Sequence, residues 1–141
     1  MKWTTHSAEQ TLELGLKLGQ KLPSNSVVCF FGGLGAGKTT FIKGVAAGVT
    51  GTSEQVNSPT FIYLNIYSGL KTLYHFDLYR LKSEEEFLSM GFEEFMSSGG
   101  VCCLEWSEKI PNLLPEDCIA VTLEPLDEHT REITIAPWEN L

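Results

Sequence analysis

Eight consecutive residues, Gly32-Gly33-Leu34-Gly35-Ala36-Gly37-Lys38-Thr39, carry the pattern G-x-x-x-x-G-K-[ST]. Each residue type in it has a task around a phosphate chain. The glycines let the backbone take positive φ and approach an anion with no Cβ in the way. Successive N–H groups then form an anion nest. A helix opening at the end of the loop aims its free donors and partial positive charge at the same anion. Lys38 is read as the only cation near the loop and reaches the β- and γ-phosphates, while the Thr39 hydroxyl serves Mg²⁺. Together with Thr40, the stretch Gly33, Leu34, Gly35, Ala36, Gly37, Lys38 and Thr39 is the expected nucleotide-binding segment. The chain contains no Asn-Lys-x-Asp tetrapeptide of the kind that selects guanine, which favours ATP.

Binding a triphosphate is not yet hydrolysing it. Hydrolysis needs a further carboxylate for the metal and a group that orients water. Val101-Cys102-Cys103-Leu104-Glu105 reads as an apolar strand with a carboxylate at its end, so Glu105 is the candidate metal residue beside Thr39. Its bland alternative is an acid that merely ends a strand. In His75-Phe76-Asp77-Leu78-Tyr79-Arg80, strand alternation puts His75, Asp77 and Tyr79 on one face and Phe76 and Leu78 on the other. A polar face of His, Asp and Tyr with Arg80 beside it is expensive to bury without purpose, so the cluster is a candidate for function; otherwise Asp77 pairs with Arg80 or lies on a solvated face. Asn57-Ser58-Pro59-Thr60 resembles a switch loop in which Thr60 closes over the metal and γ-phosphate. Trp106 is read either as a packing surface for nucleotide or partner, or as an ordinary core residue.

The elements that must hold these groups can be read from periodicity and punctuation. Val27–Phe31 is a continuous apolar run, the pattern of a fully buried strand, and it leads directly into the glycine loop. Thr39 to about Val49 is predicted to be a helix. Before the strand, Leu12, Leu16 and Gly19 recur at helical spacing between Ala8 and Lys21, with Leu14 and Leu18 beside them. Ser7 and Gln10 make a capping box at its start. Residues 60–67 and 72–77 read as a hairpin turning at Ser68-Gly69, and Ser83-Glu84-Glu85-Glu86 opens a short helix. Residues 119–123 and 131–136 could close the sheet as a strand pair. Interspersed helices and strands indicate an α/β class.

The chain has 141 residues, which favours one domain over 1–141. Hydrophobic residues make up 43% and charged residues 20%, ordinary proportions for a globular protein. No apolar run approaches the ~20 residues of a membrane span, and the polar start Met1-Lys2-Trp3-Thr4-Thr5-His6 is unlike an export signal, so a cytoplasmic, membrane-free protein is expected. Cys29, Cys102, Cys103 and Cys118 form no Cys-x-x-Cys pair and are expected to be reduced and packed as small hydrophobes. The net charge of −8 argues against a protein that grips nucleic acid by itself.

Gly33–Thr40 (GLGAGKTT), Ser58–Phe61 (SPTF), His75–Arg80 (HFDLYR) and Leu104–Trp106 (LEW) occur in this order in the TsaE family, formerly YjeE, which the chain resembles over roughly residues 7 to 136. The resemblance implies a P-loop ATPase with a compact mixed sheet flanked by helices. It implies the cofactors ATP and Mg²⁺ and a place in the synthesis of N6-threonylcarbamoyladenosine in tRNA. It also implies docking on the TsaD and TsaB proteins, with tRNA met only through them. On this chain, Lys38 and Thr39 match the phosphate and metal residues, Glu105 the acidic metal residue, Asp77 the water- or metal-positioning residue and Thr60 the switch residue. Gly33 departs from the family, which often has Asp there. A small-molecule kinase and a non-hydrolytic ATP-gated binding module are the other readings of the same loop.

Overall fold

A computed structural model describes residues 1–33, 36–52, 56–57 (backbone) and 63–138. Among these, eight strands form one mixed sheet: β1 (Lys2–Thr5), β2 (Val27–Phe31), β3 (Val56–Asn57), β4 (Leu64–Ser68), β5 (Leu73–Asp77), β6 (Val101–Glu105), β7 (Ile119–Pro125) and β8 (Arg131–Ala136). Their order is β1-β8-β7-β2-β6-β5-β4-β3. The four central strands, β7, β2, β6 and β5, run parallel, and antiparallel strands complete both flanks. Three α-helices flank the sheet: α1 (Ala8–Lys21), α2 (Lys38–Thr50) and α3 (Glu84–Ser89). This is the α/β, P-loop NTPase-like mixed sheet flanked by helices that the sequence indicated.

The unbroken apolar run of β2 follows from burial on both faces. Val28 and Phe30 join Phe41, Ile42 and Val45 of α2 and Leu14 and Leu18 of α1 on one side. Val27 and Cys29 join Phe76, Phe87, Phe92 and Leu104 on the other, beneath α3 and the 3₁₀ turns at 92–97. Removing a side chain such as Phe41, which is 0% exposed, from water stabilises the fold by about 1.5–3 kcal/mol.

The cap predicted at Ser7 forms, and α3, predicted from its acidic start, gains a side-chain cap that the sequence reading did not name. The Ser7 hydroxyl accepts the Gln10 N–H at 3.1 Å, and Gln10 Oε1 accepts the His6 N–H at 2.7 Å. At α3 the Ser83 hydroxyl accepts the Glu86 N–H at 3.2 Å. The face of α1 needs correction, however. Its buried side is Thr11, Leu14, Gly15, Leu18 and Gly19, while Leu12 lies 39% exposed. The reason is backbone packing: α1 crosses α2 glycine to glycine. A Cβ on Gly15 would overlap the Phe41 carbonyl oxygen, and one on Gly44 would overlap that of Leu12. Small residues, more than leucines, decide which face turns inward.

Two strands escaped the sequence reading. β1 is four residues long with only Thr5 buried, and it exists because β8 offers it an edge. β3 is two residues long and pairs with β4. The predicted hairpin forms between β4 and β5, with Tyr67 opposite Leu73; residues 60–62 of the predicted first strand lie outside the described residues. Among the described residues Cys29, Cys102 and Cys103 are buried free thiols and Cys118 is half-buried. Burial pushes the Cys29 and Cys102 thiols up to about 12, the behaviour of packing groups and not of reactive ones.

Candidate functional site

The site lies where β2 ends and α2 begins, at the carboxyl edge of the parallel strands. Gly37 caps α2 in the left-handed region, with φ 95°, and no side chain occupies the cap. The first N–H groups of α2 therefore point into the cleft without a side-chain acceptor, an arrangement suited to an anion. Gly32 is held at φ 148°, and a Cβ there would press against the Leu123 carbonyl oxygen. By contrast, a Cβ on Gly33 would meet nothing within 4 Å among the described residues.

A cleft of about 750 Å³ opens over this helix start. Gly33, Ala36, Gly37, Lys38, Thr39 and Thr40 line its floor, and Asp77 and Glu105 line one side. Of the expected site residues, Leu34, Gly35 and Thr60, with the Ser58–Phe61 segment, lie outside the described residues.

Register explains how residues distant in sequence meet. β6 lies between β2 and β5; Glu105 is level with Phe30 on one side and with Asp77 on the other. Glu105 is the hub of a charged cluster. Its Oε1 lies 3.8 Å from Lys38 Nζ and its Oε2 lies 2.8 Å from His75 Nε2. The Lys38 and Glu105 side chains are only 17% and 16% exposed. Burial alone would raise the Glu105 carboxyl, but the His75 hydrogen bond and the electrostatic effects of His75 and Lys38 outweigh it and hold it below the usual carboxylate range. Glu105 is thus an ionised carboxylate facing a cleft, with its lone pairs partly engaged by donors that orient it. The bland reading of Glu105, an acid at a strand end, does not account for this cluster.

Asp77 is exposed into the cleft, and its Oδ1 accepts the Tyr79 N–H at 3.2 Å. Phe76 and Leu78 are 0% exposed, as alternation required. Among the described residues Asp77 and Arg80 form no ion pair within 4.0 Å, so the pairing alternative finds no support there. Trp106 is 39% exposed and lines the cleft, so the core reading of that residue is set aside. Its backbone sits at φ 62°, a strained position for a tryptophan. Its ring packs 5.0 Å from that of Tyr79 and 6.0 Å from Lys38 Nζ.

One residue was missed, and it corrects the reading of Lys38 as the only nearby cation. Arg131, the first residue of β8, also lines the cleft beside Gly37. No local motif marks it; only the position of β8 two strands from β2 brings it there.

As to metals, no group of three or more His, Cys, Asp or Glu residues among those described closes into a binding site. The oxygen donors lining the cleft that could hold an ion are the Glu105 and Asp77 carboxylates and the Thr39 hydroxyl. That sparse oxygen set suits Mg²⁺, which keeps waters and takes phosphate oxygens as its remaining ligands.

Comparison with known proteins gives a consistent result. The family model "Threonylcarbamoyl adenosine biosynthesis protein TsaE" matches residues 5–133. A tRNA threonylcarbamoyladenosine biosynthesis protein TsaE from Treponema pallidum (strain Nichols) is 43% identical over 136 residues, covering 96% of this chain and 100% of its own. The protein of the same name from Bacillus subtilis (strain 168) is 37% identical over 141 residues, covering 99% and 87%. The crystal structure of Bacillus subtilis YdiB superposes with a TM-score of 0.78 at 32% identity, covering 96% of this chain and 83% of that one. A match that spans the glycine loop, the His75–Arg80 strand and Glu105 alike leaves one conclusion: this chain belongs to the TsaE family.

Proposed function

We propose that this protein is a Mg²⁺-dependent P-loop ATPase that drives the synthesis of N6-threonylcarbamoyladenosine in tRNA by acting on the TsaD–TsaB pair. The observation that carries the reading is the convergence of Lys38, Glu105, His75 and Asp77 over an uncapped helix start. Gly33 to Thr40 would form the phosphate cradle, as the glycine-loop motif and the family resemblance imply. Lys38 exchanges its Glu105 partner for the β- and γ-phosphates. Thr39 and Glu105 would hold Mg²⁺, which would supply neutralisation of the charge that develops on the phosphoryl group. Asp77 would orient the attacking water, directly or through the metal site, and Thr60 is the switch residue that the family resemblance implies. His75 is a positioning residue that fixes the second oxygen of Glu105.

The −8 charge supports leaving tRNA to the partners. No helix among the described residues is long and apolar enough to cross a membrane, and a place in the cytoplasm is part of this proposal. The test is phosphate release from MgATP with and without the partner pair. Slow turnover alone and faster turnover with the pair is the expected result. No release under either condition would leave only the ATP-gated binding module, and tight salt-sensitive tRNA binding by this chain alone would overturn the partner-mediated reading.

A further inference from the structure

We propose that Tyr63 and Glu86 are positioning residues for Asp77: together they clamp the short turn that carries its carboxylate into the cleft. The inference rests on the ATPase reading and deepens it, since the water-orienting role of Asp77 belongs to that reading. The turn runs from Asp77, at the end of β5, to Lys82, just before α3. Leu78 and Leu81 root it in the core, at 0% and 2% exposed, and the Leu81 N–H closes it on the Leu78 carbonyl at 3.0 Å. Asp77, Tyr79 and Arg80 stand outward and exposed. With Tyr63 they line a hollow of about 340 Å³ among the described residues. Apolar packing therefore fixes the depth of the turn, and hydrogen bonds must fix the direction in which Asp77 faces.

Tyr63, immediately before β4, supplies such bonds at both ends of the turn. Its carbonyl oxygen accepts the Asp77 N–H at 2.9 Å. Its phenol reaches the far end, 3.4 Å from the Arg80 carbonyl oxygen and 3.3 and 3.4 Å from the two carboxylate oxygens of Glu86. A phenol has one proton to donate, and a carboxylate is a stronger acceptor than a carbonyl. Glu86 in turn accepts the Lys82 N–H at 2.9 Å, so one carboxylate receives both the ring of Tyr63 and the backbone that ends the turn. Glu86 is itself held: the Ser83 hydroxyl accepts its N–H at 3.2 Å, and Asn112 donates twice, at 2.8 Å, to the carboxylate of neighbouring Glu84. The Tyr63 ring meets Phe92 edge-on, with centroids 6.5 Å apart. Neither Tyr63 nor Glu86 lines the nucleotide cleft. Loss of the clamp should therefore fall on the catalysed step and not on nucleotide binding.

The test is a double-variant cycle on the full chain with its partner pair. It reads single-turnover phosphate release beside MgATP affinity by calorimetry. Rates are expressed per nucleotide-binding site, from the stoichiometry of the titration, so that unfolded protein does not count. Tyr63→Phe keeps the ring and removes the donor; Glu86→Gln keeps an acceptor in place, and Glu86→Ala removes it. Tyr63→Phe and Glu86→Ala are expected to lower the rate by about 3- to 30-fold while MgATP affinity stays within about twofold, since small misplacements of a reacting group are costly. Glu86→Gln is expected to keep more of the rate than Glu86→Ala does. In an Asp77→Asn background, Tyr63→Phe is expected to change the rate by less than about twofold, because the clamp acts through that carboxylate. An equal loss in both backgrounds would overturn the proposal. So would a lowered melting temperature with an unchanged rate per site, or MgATP binding weakened by the same factor as the rate. A native rate in Tyr63→Phe, beside a native chain that hydrolyses MgATP, overturns this proposal only; a native chain that releases no phosphate with its partners overturns the ATPase reading with it.

Discussion

Glu105→Gln keeps the side chain's size and removes its charge, and its two partners make opposite consequences expected for binding and for turnover. At 3.8 Å from Lys38 Nζ, the gross attraction at an effective dielectric constant near 20 is about 4 kcal/mol. Most of that is offset by the desolvation of two largely buried charges, so the net worth of the pair is about 1 kcal/mol. In the variant Lys38 no longer has to leave a carboxylate, and no carboxylate repels the phosphates. Nucleotide affinity measured in EDTA is therefore expected to be unchanged or up to about fivefold tighter, since 1.4 kcal/mol is tenfold. With Mg²⁺ the order reverses: the variant loses the metal's contribution, and turnover falls by about 10²–10³-fold, the usual cost of removing one group that stabilises transition-state charge. Titration calorimetry with and without Mg²⁺, beside single-turnover phosphate release, reads both effects on one preparation. A variant whose affinity collapses in EDTA while its residual turnover is unchanged would refute the assignment of Glu105 to the metal.

Asp77→Asn preserves the acceptor for the Tyr79 N–H and is expected to leave the melting temperature and ATP affinity near normal while partner-stimulated hydrolysis falls by ~10²–10⁴-fold; an intact rate per folded molecule would remove Asp77 from the mechanism. Lys38→Ala is expected to abolish turnover and leave a weak residual nucleotide affinity, because Arg131 remains in the cleft, and a variant with native hydrolysis would sink the phosphate-loop assignment. Gly44→Ala would push a methyl group into the Leu12 carbonyl where α1 crosses α2; denaturant unfolding should show a loss of about 1–3 kcal/mol, and an unchanged midpoint would mean that the helix crossing is looser than described.

Much of this protein was written in local signals. The glycine loop, the apolar β2 that precedes it and the Ser7 and Ser83 caps each depend on a few neighbouring residues. Such features are set by backbone freedom, hydrogen-bond geometry and periodicity, which act over a turn or a strand. Alternation likewise assigned Phe76 and Leu78 to the core and His75 and Asp77 to the opposite face. What the tertiary structure decided is everything that depends on which strand lies beside which. The 2.8 Å contact between His75 and Glu105 spans thirty positions, and only β5 settling next to β6 creates it. Arg131 enters the cleft because β8 folds back antiparallel on β7, and β1 exists as a strand only because β8 offers a partner. The buried face of α1 turned on Gly15 and Gly19 more than on its leucines. A helix that is apolar over much of its surface has several faces it could bury, and only the backbone of α2, close enough to exclude a Cβ, chose among them.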